Sequence, residues 1–172
     1  MTGNDFLPFT LIEKIRFDHY TGAFDCRHPD LNRFLQRYAL VNQKAGAAQT
    51  YVVCRGNGVV GYCSLAAGSM AHQDVPERVG QGLGRHRVPL MILARLAVDV
   101  HEQAQGLGAA LLKDAMLRTL QAAGILGIRA ILVHAKDDNA KGFCEHFNFK
   151  PGPTDPHHLY CLVEDIKRLT GS

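Results

Sequence analysis

The apolar positions follow two rhythms along the chain. Between Pro29 and Lys44, Leu31, Phe34, Leu35, Tyr38 and Leu40 or Val41 recur at three- and four-residue steps, which predicts a helix over about 29–44 with Asp30 as its N-cap. Gln49 to Cys54 and Val59 to Leu65 are rich in β-branched and aromatic residues and flank Gly56-Asn57-Gly58, so they are expected to pair as an antiparallel hairpin. Residues 71–87 are polar and glycine-rich and read as a loop holding at most a short helix. Val88 to Val100 is apolar and long enough for a central strand. It runs through His101–Gly108 into a helix carrying Leu107, Ala110, Leu111, Met116, Leu117 and Leu120, which ends near Gly124. Residues 128–134 predict another strand, Asp137-Asp138-Asn139 an N-cap cluster for a helix to about Phe147, and Leu159 to Val163 a final strand.

Paired strands early and a strand–helix–strand–helix–strand series later describe an α/β or α+β fold with a mixed central sheet flanked by helices. Nothing repeats and no linker separates two composition regimes, so a single domain over 1–172 is expected. At 47% hydrophobic and 20% charged residues, disordered, collagen-like and fibrous classes are excluded. The apolar run Val88 to Ala94 stops at Arg95, far short of the ~20 residues of a membrane span, and MTGNDFLPFT has no basic segment before an apolar stretch. A cytoplasmic protein without membrane contact is the expectation. Five widely spaced cysteines without a C-x-x-C pair suit reduced thiols, and His134 and His157-His158 lack a second ligand pair, so no metal is expected.

Net charge is +3, with nineteen Lys+Arg against sixteen Asp+Glu. Arg16, Arg27, Arg33, Arg37 and Lys44 crowd the N-terminal quarter, and Arg78, Arg85 and Arg87 flank a glycine-rich loop. This distribution fits a basic surface for an anionic partner and fits an ordinary solvated face equally well.

The chemistry concentrates at Gln103-Ala104-Gln105-Gly106-Leu107-Gly108. A helix entered through a glycine-rich turn after a strand offers unpaired N–H groups and the positive end of its dipole, which is an anion site. The turn lacks the Lys and Ser/Thr of a nucleotide-hydrolysing phosphate loop, and leucine stands where a dinucleotide fingerprint needs its third small residue. What remains is Q-x-x-G-x-G, which also fits a helix that merely begins with glycines.

This turn resembles the pyrophosphate loop of the GNAT superfamily of acyl-CoA transferases. Leu93–Asp99 before it, Leu132-Val133-His134-Ala135 after it, Asn139–Phe149 and Pro151–Pro156 follow in the order of GNAT elements. With Phe24-Asp25-Cys26, Tyr51–Cys54 and Val60-Gly61-Tyr62, the chain over about 20–165 is similar to the acetyltransferase toxins of bacterial toxin–antitoxin pairs. The resemblance implies transfer of acetyl from acetyl-CoA to the α-amino group of an aminoacyl-tRNA, a ribbon-helix-helix antitoxin and a homodimer. It implies that backbone groups around Ala97, Val98 and Val100 hold the pantetheine arm in a splay between two strands. Gln103 and the N–H groups of Gln105, Gly106, Leu107, Gly108 and Ala109 would serve the pyrophosphate, with Asn139 approaching from the later helix. Arg33, Arg37, Arg78, Arg85, Arg87 and Arg95 become the expected phosphate contacts to tRNA.

The family pattern Phe-Tyr followed by x-x-x-Gly-Phe reads here as Phe143-Cys144 and Asn148-Phe149, so Cys144 stands at the position of the general-acid tyrosine. Three readings follow: Cys144 returns the proton to the leaving thiolate, another group or water does so, or catalysis is impaired. A Cys144–His146 hydrolase pair is disfavoured, because residues two apart on a helix face different ways. An acetyltransferase for a small amine or a protein N-terminus, and a GNAT-like regulatory module, are the remaining alternatives.

Overall fold

The computed structural model describes residues 7–171. Its strands are β1 (Glu13–Lys14), β2 (Gln49–Arg55), β3 (Gly58–Met70), β4 (Val88–Val98), β5 (Ala130–His134), β6 (Lys150–Pro151) and β7 (His158–Leu162). They form one mixed sheet of order β1-β2-β3-β4-β5-β7-β6. β4 and β5 pair in parallel, whereas β1 with β2, β2 with β3, β5 with β7 and β6 with β7 pair antiparallel. The chain gathers into two compact units, one holding the described residues to Ala66 together with Arg95–Ala115, the other Ala67–Ala94 together with the described residues from Met116 on.

In the first unit, the helix expected over 29–44 is present as α1 (Pro29–Arg33) and α2 (Ala39–Lys44), joined by a π-helical stretch at Phe34–Tyr38. Its N-cap is His28, not Asp30. Pro29 has a fixed φ and no N–H to satisfy, so it takes the first helical position and moves the cap two residues earlier. Asp30 sits in the first turn and accepts from the Arg33 guanidinium at 3.1 Å. The core of this unit is built around Tyr62, which meets Phe24 edge-on at 5.6 Å and Phe34 stacked at 6.1 Å, and whose hydroxyl donates to the Leu31 carbonyl at 2.7 Å.

The hairpin pairs as expected, with Gly58 already in β3 and a bulge at Val53/Cys54. β1 was not foreseen, since two residues carry no alternation. The central strand stops at Val98 rather than Val100: Asp99 accepts from the His101 N–H at 2.9 Å and opens a 3₁₀ turn over Val100–Glu102. Asp99 also accepts from the Asp25 N–H at 2.9 Å, and Val100 N–H donates to the Asp25 carbonyl at 2.8 Å, so the strand end is tied on both sides of the residue. α4 (Leu107–Ala123) follows and buries Leu107, Leu111 and Leu112.

In the second unit, residues 71–87 are mostly loop, with α3 (Glu77–Gly80) as the short helix. α5 (Asp138–His146) starts where the acidic cluster placed it, with Asp137 accepting from the Ala140 N–H at 2.8 Å. The last strand ends at Leu162, not Val163, because Val163 begins α6 (Val163–Thr170), which was not foreseen. α6 buries Val163 and Ile166. The apolar centre comprises Val75, Val79, Val88, Leu90, Ala130, Leu132, Tyr160 and Leu162. Among the described residues no helix is long and apolar enough to cross a membrane.

Candidate active site

The turn after β4 is shaped by two left-handed residues, Ala104 at φ 63° and Gly106 at φ 83°. Its polar side chains are engaged. Gln103 donates its amide to the Val98 carbonyl at 3.2 Å, and Gln105 donates to the Glu102 carboxylate at 2.9 Å. Ala110 N–H donates to the Gly106 carbonyl at 3.0 Å and is the first such bond of α4. The N–H groups of Gly106, Leu107, Gly108 and Ala109 therefore precede the i to i−4 ladder of the helix. These donors, at the positive end of a 17-residue helix and with no Cβ on Gly106 or Gly108, fit a pyrophosphate.

Before this turn, Ala97 is buried while Val98 and Val100 are half-buried. The parallel pairing of β4 with β5 runs from Leu90↔Ala130 to Leu93↔Val133, and β4 continues to Val98. All of the turn residues lie in the first unit; Asn139 and Cys144 lie in the second.

Asn139 is exposed in the first turn of α5. Cys144 is 4% exposed, and burial pushes its thiol up to about 11. An ordinary thiol sits near ~8.5, so this one is a weaker acid than a leaving coenzyme A thiol would be. His146 is exposed on the same helix and meets Phe147 edge-on at 5.1 Å, so it does not share a face with buried Cys144. Asn148, which stands where the family pattern has glycine, adopts φ 72°.

The six arginines divide between the units. Arg33 is paired with Asp30, Arg37 is exposed on the π-helical stretch, and the Arg95 guanidinium lies 3.8 Å over the Phe34 ring. Arg78 forks onto Asp165 at 3.0 and 3.1 Å, and Arg87 donates to Ser69 Oγ at 2.8 Å and to the Ser69 carbonyl at 3.1 Å. Arg85 lines an open cleft of about 390 Å³ with His72, Glu77, Gly80 and Gly82.

Sequence reasoning gave no role to Arg55, Glu102 or Asp99, which hold the turn in place. Their pairings span 47 and 74 residues, and only a charged residue beside an apolar strand end could have signalled them. Among the described residues no cluster could hold a metal ion.

Residues 46–151 match the acetyltransferase (GNAT) domain family. The chain is 46% identical over 149 residues, covering 87% of it and 89% of the relative, to a tRNA-acetylating toxin of Mycobacterium tuberculosis (strain ATCC 25618 / H37Rv). Its fold is similar to AtaT complexed with acetyl-methionyl-tRNAfMet, with a TM-score of 0.88 at 26% identity over 95% of this chain and 99% of that one. It is also similar to a tyrosine-to-phenylalanine variant of the AtaT toxin bound to the C-terminus of the antitoxin AtaR and acetyl-CoA, with a TM-score of 0.81 at 26% identity over 96% and 99%. The chain belongs to the GNAT acetyltransferase family.

Proposed function

We propose that this chain is a toxin that transfers acetyl from acetyl-CoA to the α-amino group of an aminoacyl-tRNA and so withdraws it from translation. The observation that carries the reading is 46% identity to a tRNA-acetylating toxin over most of both lengths, supported by a glycine turn at the N-terminus of α4 whose form suits a pyrophosphate. Acetyl-CoA supplies the activated acetyl group. The N–H groups of Gln105 to Ala109 receive its pyrophosphate, Gln103 fastens the turn to the strand end, and backbone groups of Ala97, Val98 and Val100 run beside the pantetheine arm. On α5, Asn139 and Cys144 stand at the positions that the family pattern gives to the cofactor-side asparagine and the general acid.

Cys144 occupies the acid position without being a competent acid. Passing a proton from a group near 11 to a thiolate of ordinary basicity is uphill, so the leaving thiolate takes its proton from water or takes the proton that the attacking amine loses as the amide forms. The chain therefore transfers acetyl more slowly than it would with tyrosine there. Arg37 and Arg85, together with Arg33, Arg78, Arg87 and Arg95 once released from their partners, serve the tRNA phosphates. A ribbon-helix-helix antitoxin neutralises the chain in the cytoplasm, and the active form is a homodimer.

The test is incubation with labelled acetyl-CoA and a mixed aminoacyl-tRNA pool. Label recovered as N-acetyl-aminoacyl ester on tRNA is expected. Label found only on free amines or on protein N-termini overturns the tRNA reading, and coenzyme A binding without any transfer overturns the enzymatic one.

A further inference from the structure

Glu102 puts a carboxylate four residues before Gly106, the first of the proposed pyrophosphate turn's glycine pair, where an uncompensated negative charge would repel the ligand. It is 7% exposed. Its two oxygens take a forked bond from Arg55 at the end of β2, Nε at 2.9 Å and Nη2 at 3.0 Å. The second oxygen also accepts the Gln105 amide at 2.9 Å, within the turn itself. Arg55 is fixed in its own place by lying 4.0 Å over the Phe9 ring and by donating to the Leu7 carbonyl.

We infer that Arg55 and Glu102 are positioning residues for donor binding: Glu102 clamps Gln105 so that Ala104 and Gly106 on either side of it keep their left-handed backbone and the turn keeps its shape, and Arg55 cancels the charge this requires. The inference rests on the proposed pyrophosphate site. A planar fork satisfies both carboxylate oxygens at once, which a lysine cannot do. Removing Arg55 alone leaves a buried carboxylate unpaired beside the anion site, whereas removing both charges leaves Gln105 with a neutral acceptor.

The experiment is calorimetric titration of the full chain and of Arg55→Met, Glu102→Gln and the double variant with coenzyme A, after circular dichroism has shown each to be folded. Arg55→Met is expected to weaken coenzyme A on the order of tenfold, and the double variant to recover to within roughly threefold of the unaltered chain. A role confined to folding predicts no recovery. Unchanged affinity in folded Arg55→Met, or a double variant as weak as the single one, overturns the inference. Should Arg55→Met not fold, Arg55→Lys takes its place: an affinity loss of roughly threefold is expected from the lost fork, and an unchanged affinity overturns the inference. Failure of the unaltered chain to bind coenzyme A would remove the pyrophosphate site, and this inference with it.

Discussion

Arg78 and Asp165 meet in a forked ion pair at 3.0 and 3.1 Å, joining α3 to α6 across 87 residues of sequence. The fork from Arg78 holds the Asp165 carboxyl below its ordinary value against the opposing effect of burial. A carboxylate whose folded-state pKa is depressed adds stability above its unfolded pKa and loses it as pH falls through the folded value, so this pair is lost only under acid conditions. At neutral pH, Arg78 is therefore already neutralised, and the phosphate contact proposed for it would be weak. Asp165→Asn is expected to free it, strengthening tRNA binding and steepening the slope of log affinity against log salt by about 1. Arg78→Gln should change that slope less than Arg85→Gln does. Anisotropy titrations of labelled tRNA between about 50 and 200 mM salt check both, and an Asp165→Asn variant with an unchanged slope would remove Arg78 from the interface.

Cys144 carries the second prediction. A thiol near 11 remains protonated throughout the physiological range, so no limb of the pH–rate profile between about pH 7 and 9 belongs to it. Were it an acid of ordinary thiol pKa, the rate would fall as pH rose through ~8.5. Cys144→Ala should leave acetyl transfer within roughly threefold, while Cys144→Tyr, which restores an acid at that position, should raise it by as much as ~10². Single-turnover rates at saturating donor measure this. A large loss in Cys144→Ala would make the thiol a working acid despite its burial.

The features legible in the sequence were those with local causes. The Q-x-x-G-x-G turn, the Asp137 cap and the hairpin around Gly56 are set by residues within a few positions of one another. What escaped is set at a distance or lacks a period. β1 is too short to alternate, and α6, beginning at Val163, reads as a continuation of the apolar strand before it. The π-helical stretch at Phe34–Tyr38 shifts the buried face, leaving Tyr38 and Val41 exposed and burying Ala39 instead, and a small residue such as alanine gives the periodicity nothing to reveal this. The same holds for the site. Its backbone donors could be foreseen from glycine spacing, but the engagement of Arg78 by Asp165 and of Glu102 by Arg55 depends on which segments the fold brings side by side.

Asn148 offers a stability test. At φ 72° it follows the end of α5 in the left-handed region, which asparagine tolerates better than most residues and glycine best of all. Asn148→Gly is expected to preserve the fold and add about 0.5 kcal/mol, since the strain relieved exceeds the extra freedom of the unfolded chain. Asn148→Val should cost about 1–2 kcal/mol. Denaturant unfolding of the three proteins gives the order, and a Val variant as stable as the parent would refute the strain.

Gly106 and Gly108 separate the conformational demand of the turn from its demand for space. Gly106 has φ 83°, and a Cβ placed on it would meet nothing within 4 Å, so Gly106→Ala carries backbone strain of about 1 kcal/mol and no collision. Gly108 lies inside the first turn of α4, where alanine is a better helix former by about 0.5–1 kcal/mol. Gly106→Ala should therefore lower stability and weaken coenzyme A together, because relaxing the strain turns the donor N–H groups away. Gly108→Ala should raise the unfolding temperature while still weakening coenzyme A, because on the proposed reading its methyl group would stand on the side from which the phosphate oxygens approach the backbone. Paired unfolding and calorimetric measurements decide it. If Gly108→Ala gained stability and kept full affinity, the proposed close approach of the phosphate to the Gly108 backbone would be overturned, and loss of affinity in Gly106→Ala alone would leave the turn's shape as what the ligand requires.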